Sequence, residues 1–164
     1  MSVNATSLKL KRRQSTNRFV VTGLAKGDYI SSWTSSNKKI VTVSGRSNGT
    51  CTIKAGNKTG KAKITITLAS GLKKVINVTV QKKAVTCTAI KNVSKKLTLN
   101  RKKSYQLKPV INPITCTSKA KYKTSNKKIV KVTSRGKITA VKKGKAKITV
   151  MVGKKKFVCT VTIK

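Results

Sequence analysis

The chain has 164 residues with 40 Lys and Arg, one acid (Asp28) and no histidine, giving a formal charge of +39. With one carboxylate and no imidazole there is no acid pair for glycoside hydrolysis, no oxygen cage for calcium and no proton shuttle, so neither enzyme chemistry nor a cofactor is expected. No run of 18 apolar residues occurs, so no membrane span is expected.

Apolar residues alternate with Thr and Lys. Ile64, Ile66 and Leu68 are separated by Thr65 and Thr67, and Phe157, Cys159, Val161 and Ile163 by Val158, Thr160 and Thr162. This is the pattern of half-buried strands, and nothing holds a helical period for three turns. The chain is therefore predicted to be all-β. Strands are expected at 6–11, 17–22, 29–34, 39–44, 50–55, 61–69 and 73–81. Turns at 25–28, 47–49, 55–57 and 70–71 separate them, with Asn48-Gly49 the strongest hairpin signal because both residues tolerate positive φ. Further strands are expected at 85–91, 96–100, 104–108, 119–124, 128–133, 136–141, 145–152 and 156–163. Pro109 and Pro113 mark the segment between as a surface connection. Short strands at this spacing predict two-sheet sandwiches.

The plan is written twice. Residues 33–43, from Trp33 through Asn37, Ile40 and Val43, come back at 122–132, from Tyr122 through Asn126, Ile129 and Val132. Gly60-Lys-Ala-Lys-Ile-Thr-Ile likewise returns from Gly144, and Leu8 and Leu10 return as Leu97 and Leu99. A repeat of this length is a whole domain, so the expected units are 1–82 and 83–164. The junction at Val80–Val85 lacks proline and any Gly/Ser tract. A short, semi-rigid connection and an elongated pair of beads are expected.

The Trp33 block, its Tyr122 twin, and the segment from Ser134 through Gly136, Ala140 and Gly144 to Val150 resemble the group 2 bacterial immunoglobulin-like domains. The second copy fits over nearly all of 85–164; the first fits at 33–44 and 60–68 and departs at Arg46–Thr59, where its loop is longer. The resemblance implies two tandem immunoglobulin-like sandwiches. It also implies the settings in which such modules are known: repeated domains of bacterial surface proteins and adhesins, phage virion decorations, and companions of secreted carbohydrate-active enzymes. It supplies no catalytic residues to carry over. The near-absence of acids is not a feature of the family.

Cys51, Cys87, Cys116 and Cys159 have no C-x-x-C spacing, so no metal site is expected. Cys51 and Cys159 alternate onto core faces, and all four are expected as reduced thiols, with one bridge at most available within the second copy. Trp33 and Tyr122 are expected to pack between the sheets of their sandwiches, not to stack on a ligand. Gly56–Gly60 lacks phosphate-loop spacing.

What remains is charge. At roughly one net positive charge per 200 Å² on single-globule scaling, the surface attracts any polyanion. Lys9, Lys11, Arg12 and Arg13 form one cluster, and Lys95, Lys96, Arg101, Lys102 and Lys103 occupy the corresponding edge of the second copy. Lys38 and Lys39 pair with Lys127 and Lys128, and Lys142, Lys143, Lys145 and Lys154, Lys155, Lys156 complete the set. Lys outnumbers Arg, which suits point-charge attraction more than base reading.

Four functions are consistent with this pattern. The first is a structural and adhesive module of a bacterial surface or secreted protein, holding teichoic acid, acidic glycans or glycosaminoglycans. The second is a phage virion head or tail decoration, the third a nonspecific nucleic-acid-coating protein, and the fourth an engineered supercharged scaffold. The N-terminus lacks the apolar centre of a signal peptide. Either an excised piece of an exported protein or release by another route such as lysis is therefore expected, and the start at Met1 favours the virion setting.

Overall fold

A computed structural model describes residues 1–164, and every element in it is a strand. The first half contains β1 (Ser2–Val3), β2 (Ser7–Lys11), β3 (Ser15–Thr16), β4 (Val21–Thr22), β5 (Ile30–Ser35), β6 (Val41–Gly45), β7 (Cys51–Ala55), β8 (Gly60–Leu68) and β9 (Lys73–Gln81). The second contains β10 (Ala89–Lys91), β11 (Lys96–Leu99), β12 (Ser104–Gln106), β13 (Val110–Asn112), β14 (Lys121–Thr124), β15 (Val130–Val132), β16 (Lys137–Ala140), β17 (Gly144–Val152) and β18 (Lys155–Ile163). The chain divides into two compact units, Met1–Val85 with Pro113–Thr115, and Thr86–Asn112 with Cys116–Lys164.

In the first unit a four-stranded sheet, β2-β9-β8-β5, faces a three-stranded one, β3-β7-β6, and β1 pairs with β4. The second unit repeats this strand for strand: β11-β18-β17-β14, then β12-β16-β15, with β10 pairing β13. The first long strand of each unit runs parallel to the last, Leu8 beside Val78 and Leu97 beside Val161, while the other pairings are antiparallel. Alternation then decides the core. Leu8, Leu10, Ile64, Ile66, Ile76 and Val78 turn inward onto Val41, Ile53 and Phe19 in one unit. Ile148, Val150, Cys159 and Val161 meet Val130 and Ile138 in the other. Residues between them stay solvent-exposed or half-buried.

Three expectations change. The strand expected at 17–22 shrinks to β4 at Val21–Thr22, bound to β1, while β3 just before it, at Ser15–Thr16, is bound to β7. The chain crosses between two partners there, so no single edge can pair its whole length. The Pro-flanked connection at 109–113 contains β13, whose three residues pair antiparallel with β10. Each proline removes one backbone donor but leaves Val110–Asn112 free to form a ladder. The strand expected at 85–91 shrinks to Ala89–Lys91.

Asn48-Gly49 also closes its hairpin differently. Gly49 alone takes positive φ, at 90°. The Gly49 N–H donates to Arg46 O at 3.2 Å, and Asn48 Oδ1 accepts from Thr50 N at 3.0 Å and Oγ1 at 2.7 Å. That is a three-residue loop with a single left-handed glycine, not a two-residue turn. Gly136, at φ 82°, serves the same purpose in the second unit.

Candidate polyanion-binding surfaces

Strand register places lysines in rows on the outer face of each four-stranded sheet. In the second unit, Thr98 pairs with Thr162 and Thr162 with Lys145, while Lys96 pairs with Thr160 and Thr160 with Lys147. Below them Val158 pairs with Thr149 and Thr149 with Lys123, then Lys156 with Met151 and Met151 with Lys121. Six lysines thus surround a strip of threonines. The first unit carries Lys9-Thr79-Lys61 and Ser7-Asn77-Lys63 in the corresponding rows. Lysines two apart on a strand are spaced about 6.8 Å and those two strands apart about 9.6 Å.

Lysine on a sheet edge has an ordinary role, which is to discourage edge-to-edge pairing. That role fits Lys121 and Lys123 on the edge strand β14. β17 and β8 gain their second ladder only from Ile148 and Ile64 onward, so Lys145 and Lys147, and Lys61 and Lys63, stand where the same role also applies. At about 7 Å in water one pair of like charges repels by about 0.6 kcal/mol, comparable to thermal energy. No single pair decides anything, but the rows together form a field that a multivalent anion would relieve.

The turns at one end of each unit make a second basic surface. In the first unit, the Arg12 N–H donates to Gln81 O at 2.9 Å, Arg13 N–H to Gly56 O at 3.0 Å, and Gly56 N–H to Ile40 O at 2.8 Å. These bonds tie the turns after β2, β5 and β7 into one pole bearing Arg12, Arg13, Lys38, Lys39 and Lys58. The Arg13 side chain donates from Nε to Asn57 Oδ1 at 3.1 Å, and Lys11, Arg12, Arg13 and Asn57 line a shallow notch. Asn37 Oδ1 caps the Lys39 N–H at 3.0 Å, as Asn126 Oδ1 caps Lys128 at 2.9 Å.

The second unit forms the same pole. Its Arg101 N–H donates to Lys164 O at 3.2 Å, Lys102 N–H to Ala140 O at 3.1 Å, and Val141 N–H to Ile129 O at 2.9 Å. Arg101, Lys102, Lys103, Lys127, Lys128, Lys142 and Lys143 gather there. Lys154 and Lys155 lie at the β17–β18 turn, the opposite end from that pole, so the four basic runs of this copy do not form one cluster. Lys95 lies at the start of β11, away from Arg101–Lys103 at its far end.

All nineteen residues proposed from the sequence are exposed. The sequence reading missed Lys61, Lys63, Lys121, Lys123 and Lys147, because it sought consecutive lysines. The available signal was alternation, as in Lys61-Ala-Lys63-Ile and Lys145-Ala-Lys147-Ile, where every second position is lysine.

The one acid does not neutralise either surface. Asp28 accepts from Ser70 Oγ at 2.8 Å, Ser70 N at 3.2 Å and Tyr29 N at 3.0 Å, and the Ser70 side-chain bond foremost lowers its pKa. The chain exposes 10664 Å², so its charge is spread at about one per 270 Å², sparser than single-globule scaling gave because two cores are enclosed instead of one.

Trp33 and Tyr122 are half-buried and pack against their cores. Trp33 meets Phe19 edge-on, with ring centroids 6.3 Å apart and planes at 87°, and its Nε1 donates to Arg46 O at 3.3 Å. Each ring also covers a glycine. A Cβ on Gly136 would meet Tyr122 Cζ at 2.7 Å, and one on Gly45 would collide with the Trp33 ring. The aromatic faces are thus taken up inside the fold.

Among solved structures, the chain is similar to a bacterial Ig-like domain containing GH10 xylanase from termite gut. The identity is 22% over 42% of this chain and 18% of that one, with a TM-score of 0.37. It is also similar to domains 4 and 5 of the S-layer protein SbsC, at 18% identity over 88% of this chain and 74% of that one, TM-score 0.45. A third likeness is to a C-terminal fragment of intimin in complex with its translocated receptor's intimin-binding domain, at 17% identity over 89% and 56%, TM-score 0.37. The chain thus spans under a fifth of the xylanase and about three quarters of the S-layer fragment. Curated protein sequences give no match. The sequence profile of the bacterial Ig-like domain (group 2) matches residues 1–80 and again 84–163, and the chain belongs to that family.

Proposed function

We propose that this chain is a non-catalytic structural and adhesive module of a bacterial surface or secreted protein, and that its basic poles and lysine-lined sheet faces hold anionic polymers of the teichoic acid or acidic glycan kind. Membership of the bacterial Ig-like family supports the structural part. The observation that carries the rest is repetition. Both units build the same basic pole from three turns, and both place lysines at the first two outward positions of a long strand, Lys61 and Lys63 on β8 and Lys145 and Lys147 on β17, although their loops differ in length and sequence.

Nucleic acid is the weaker fit. Lys predominates over Arg, and Trp33 and Tyr122 have their rings against glycine and core, which leaves each unit one exposed tyrosine, Tyr29 or Tyr105, too few for a row of stacked bases. Repeating phosphates or sulfates on a flexible backbone need only spaced point charges.

The test is affinity for polyglycerol phosphate, heparin and duplex DNA across a salt series. A footprint of about six to ten phosphates loses about 10³–10⁵ in affinity between about 50 and 200 mM salt. Steeply salt-dependent binding, with polyglycerol phosphate or heparin at least as tight as DNA at matched charge, supports the reading. Failure to bind any of them in dilute buffer removes it, and a tenfold preference for DNA replaces it with the nucleic-acid reading.

A further inference from the structure

Cys87 and Cys116 lie 29 positions apart in sequence, on either side of the β10–β13 ribbon. With Val152 they form a small buried cluster of their own, at 8%, 3% and 0% exposure, flanked by Ile90, Ile111 and Ala120. Cys116 lies near enough to Cys87 to act on its pKa, and the Cys87 thiol donates to Ala89 O at 3.3 Å. Cys51 and Cys159 have no such neighbour: each sulfur contacts a backbone carbonyl, Phe19 O and Thr160 O, within its core. The four thiols are therefore two solitary core residues and one contacting pair.

We propose that Cys87 and Cys116 are a modification site, a thiol pair that closes to a disulfide on meeting a small-molecule disulfide or another two-electron oxidant. In the exchange, one thiolate of the pair attacks the oxidant's disulfide and releases one of its halves as thiolate. The second cysteine then displaces the other half, forming the Cys87–Cys116 bond. Two thiols are oxidised, the oxidant's disulfide is reduced to two thiols, and the two protons pass to the departing thiolates.

The bridge would tie the segment before β10 to the segment after β13, beside Val152 on β17, and so restrain a ribbon that otherwise rests on three ladder pairs. Burial foremost, then Cys116, raises the Cys87 pKa. Extracellular space is where such a staple forms and persists. The device is independent of the charged surfaces, and its failure would leave the polyanion reading untouched.

The experiment treats the whole folded chain with oxidised glutathione and compares it with reduced protein. The expected result is a mass loss of two hydrogens, a fall from four titratable thiols to two after denaturation, and a disulfide joining tryptic peptides 84–91 and 104–119. The melting temperature of the second unit should rise by about 10 °C or more. Cys51→Ser and Cys159→Ser should leave the bridge intact. Cys87→Ser should abolish it, and because peptide mapping of the unaltered chain reads the bridge directly, a poorly folded variant does not blunt the test. Stable glutathione adducts, a bridge involving Cys51 or Cys159, or four unreacted thiols would overturn the proposal.

Discussion

Arg13 and Lys102 occupy the same point of the two sandwiches and share a left-handed backbone, at φ 63° and 65°. Each sends its own N–H to a backbone carbonyl, Gly56 O just after β7 and Ala140 O at the end of β16, while the residue after it accepts in return, Gln14 O from Ala55 and Lys103 O from Ala140. A long cationic side chain is thus held, twice, where glycine or asparagine is the lower-energy choice. Strain at matching positions of the two copies is the reason to test these side chains for a role beyond folding.

The first prediction separates folding from binding at these turns. Arg13→Gly and Lys102→Gly should each raise stability by about 0.5–1 kcal/mol by relieving the left-handed conformation. Each should at the same time weaken heparin binding and shallow its salt dependence. Chemical denaturation and salt-dependent titration check the two halves. Variants that lose stability and binding together would reduce these residues to ordinary turn members.

The second concerns the glycine under each aromatic ring. Gly136→Ala should cost about 1–3 kcal/mol, because the new methyl meets Tyr122 at 2.7 Å and the backbone is at φ 82°. Gly45→Ala should be similarly damaging, through Trp33. Trp33 is the only tryptophan, so its fluorescence in urea reports the first unit alone. That signal should move for Gly45→Ala and stay put for Gly136→Ala.

Much of this was legible from local pattern. β8, β9, β17 and β18 read cleanly because each alternates over nine residues against one continuous partner. β13 did not, since three residues between two prolines carry no period, and its ladder depends on β10 about twenty positions away. Parallel pairing of first and last strands is likewise a tertiary choice. The basic runs were visible as runs, but which of them share a pole depends on turn-to-turn hydrogen bonds. The lysines on β8 and β17 hid in plain alternation with the core.

Third, the folded chain should gain stability with salt. Self-repulsion across a surface with forty cations and one acid is relieved as the Debye length falls from about 30 Å at 0.01 M to about 8 Å at 0.15 M. A rise of about 4–8 °C in melting temperature corresponds to about 1 kcal/mol in a unit of this size. Calorimetry in sodium chloride, without polyanion, checks it. Melting that is unchanged or lowered by salt would contradict it.

Fourth, acid and alkaline limits should be simple. The folded Asp28 pKa is lowered, so its contribution is present above the unfolded value and lost as pH falls through the folded one. With no histidine, the melting temperature should be nearly flat from about pH 5 to 8 and change only below about pH 4. Burial pushes Cys51 from 9.0 to about 11, a raised pKa whose contribution is complete below the unfolded value and lost as pH rises through the folded one. The stability difference between the native chain and Cys51→Ala should therefore narrow from about pH 9 to 11. Melting curves of both proteins across that range read the difference directly.

The central claim is tested most directly by mapping amide chemical shifts of the folded chain as polyglycerol phosphate is added at low salt. Shifts should concentrate at the Arg13 and Lys102 poles and along Lys61, Lys63, Lys145 and Lys147, and should collapse when salt is raised. Perturbations confined to the three-stranded sheets, or none at saturating polymer, would contradict the account.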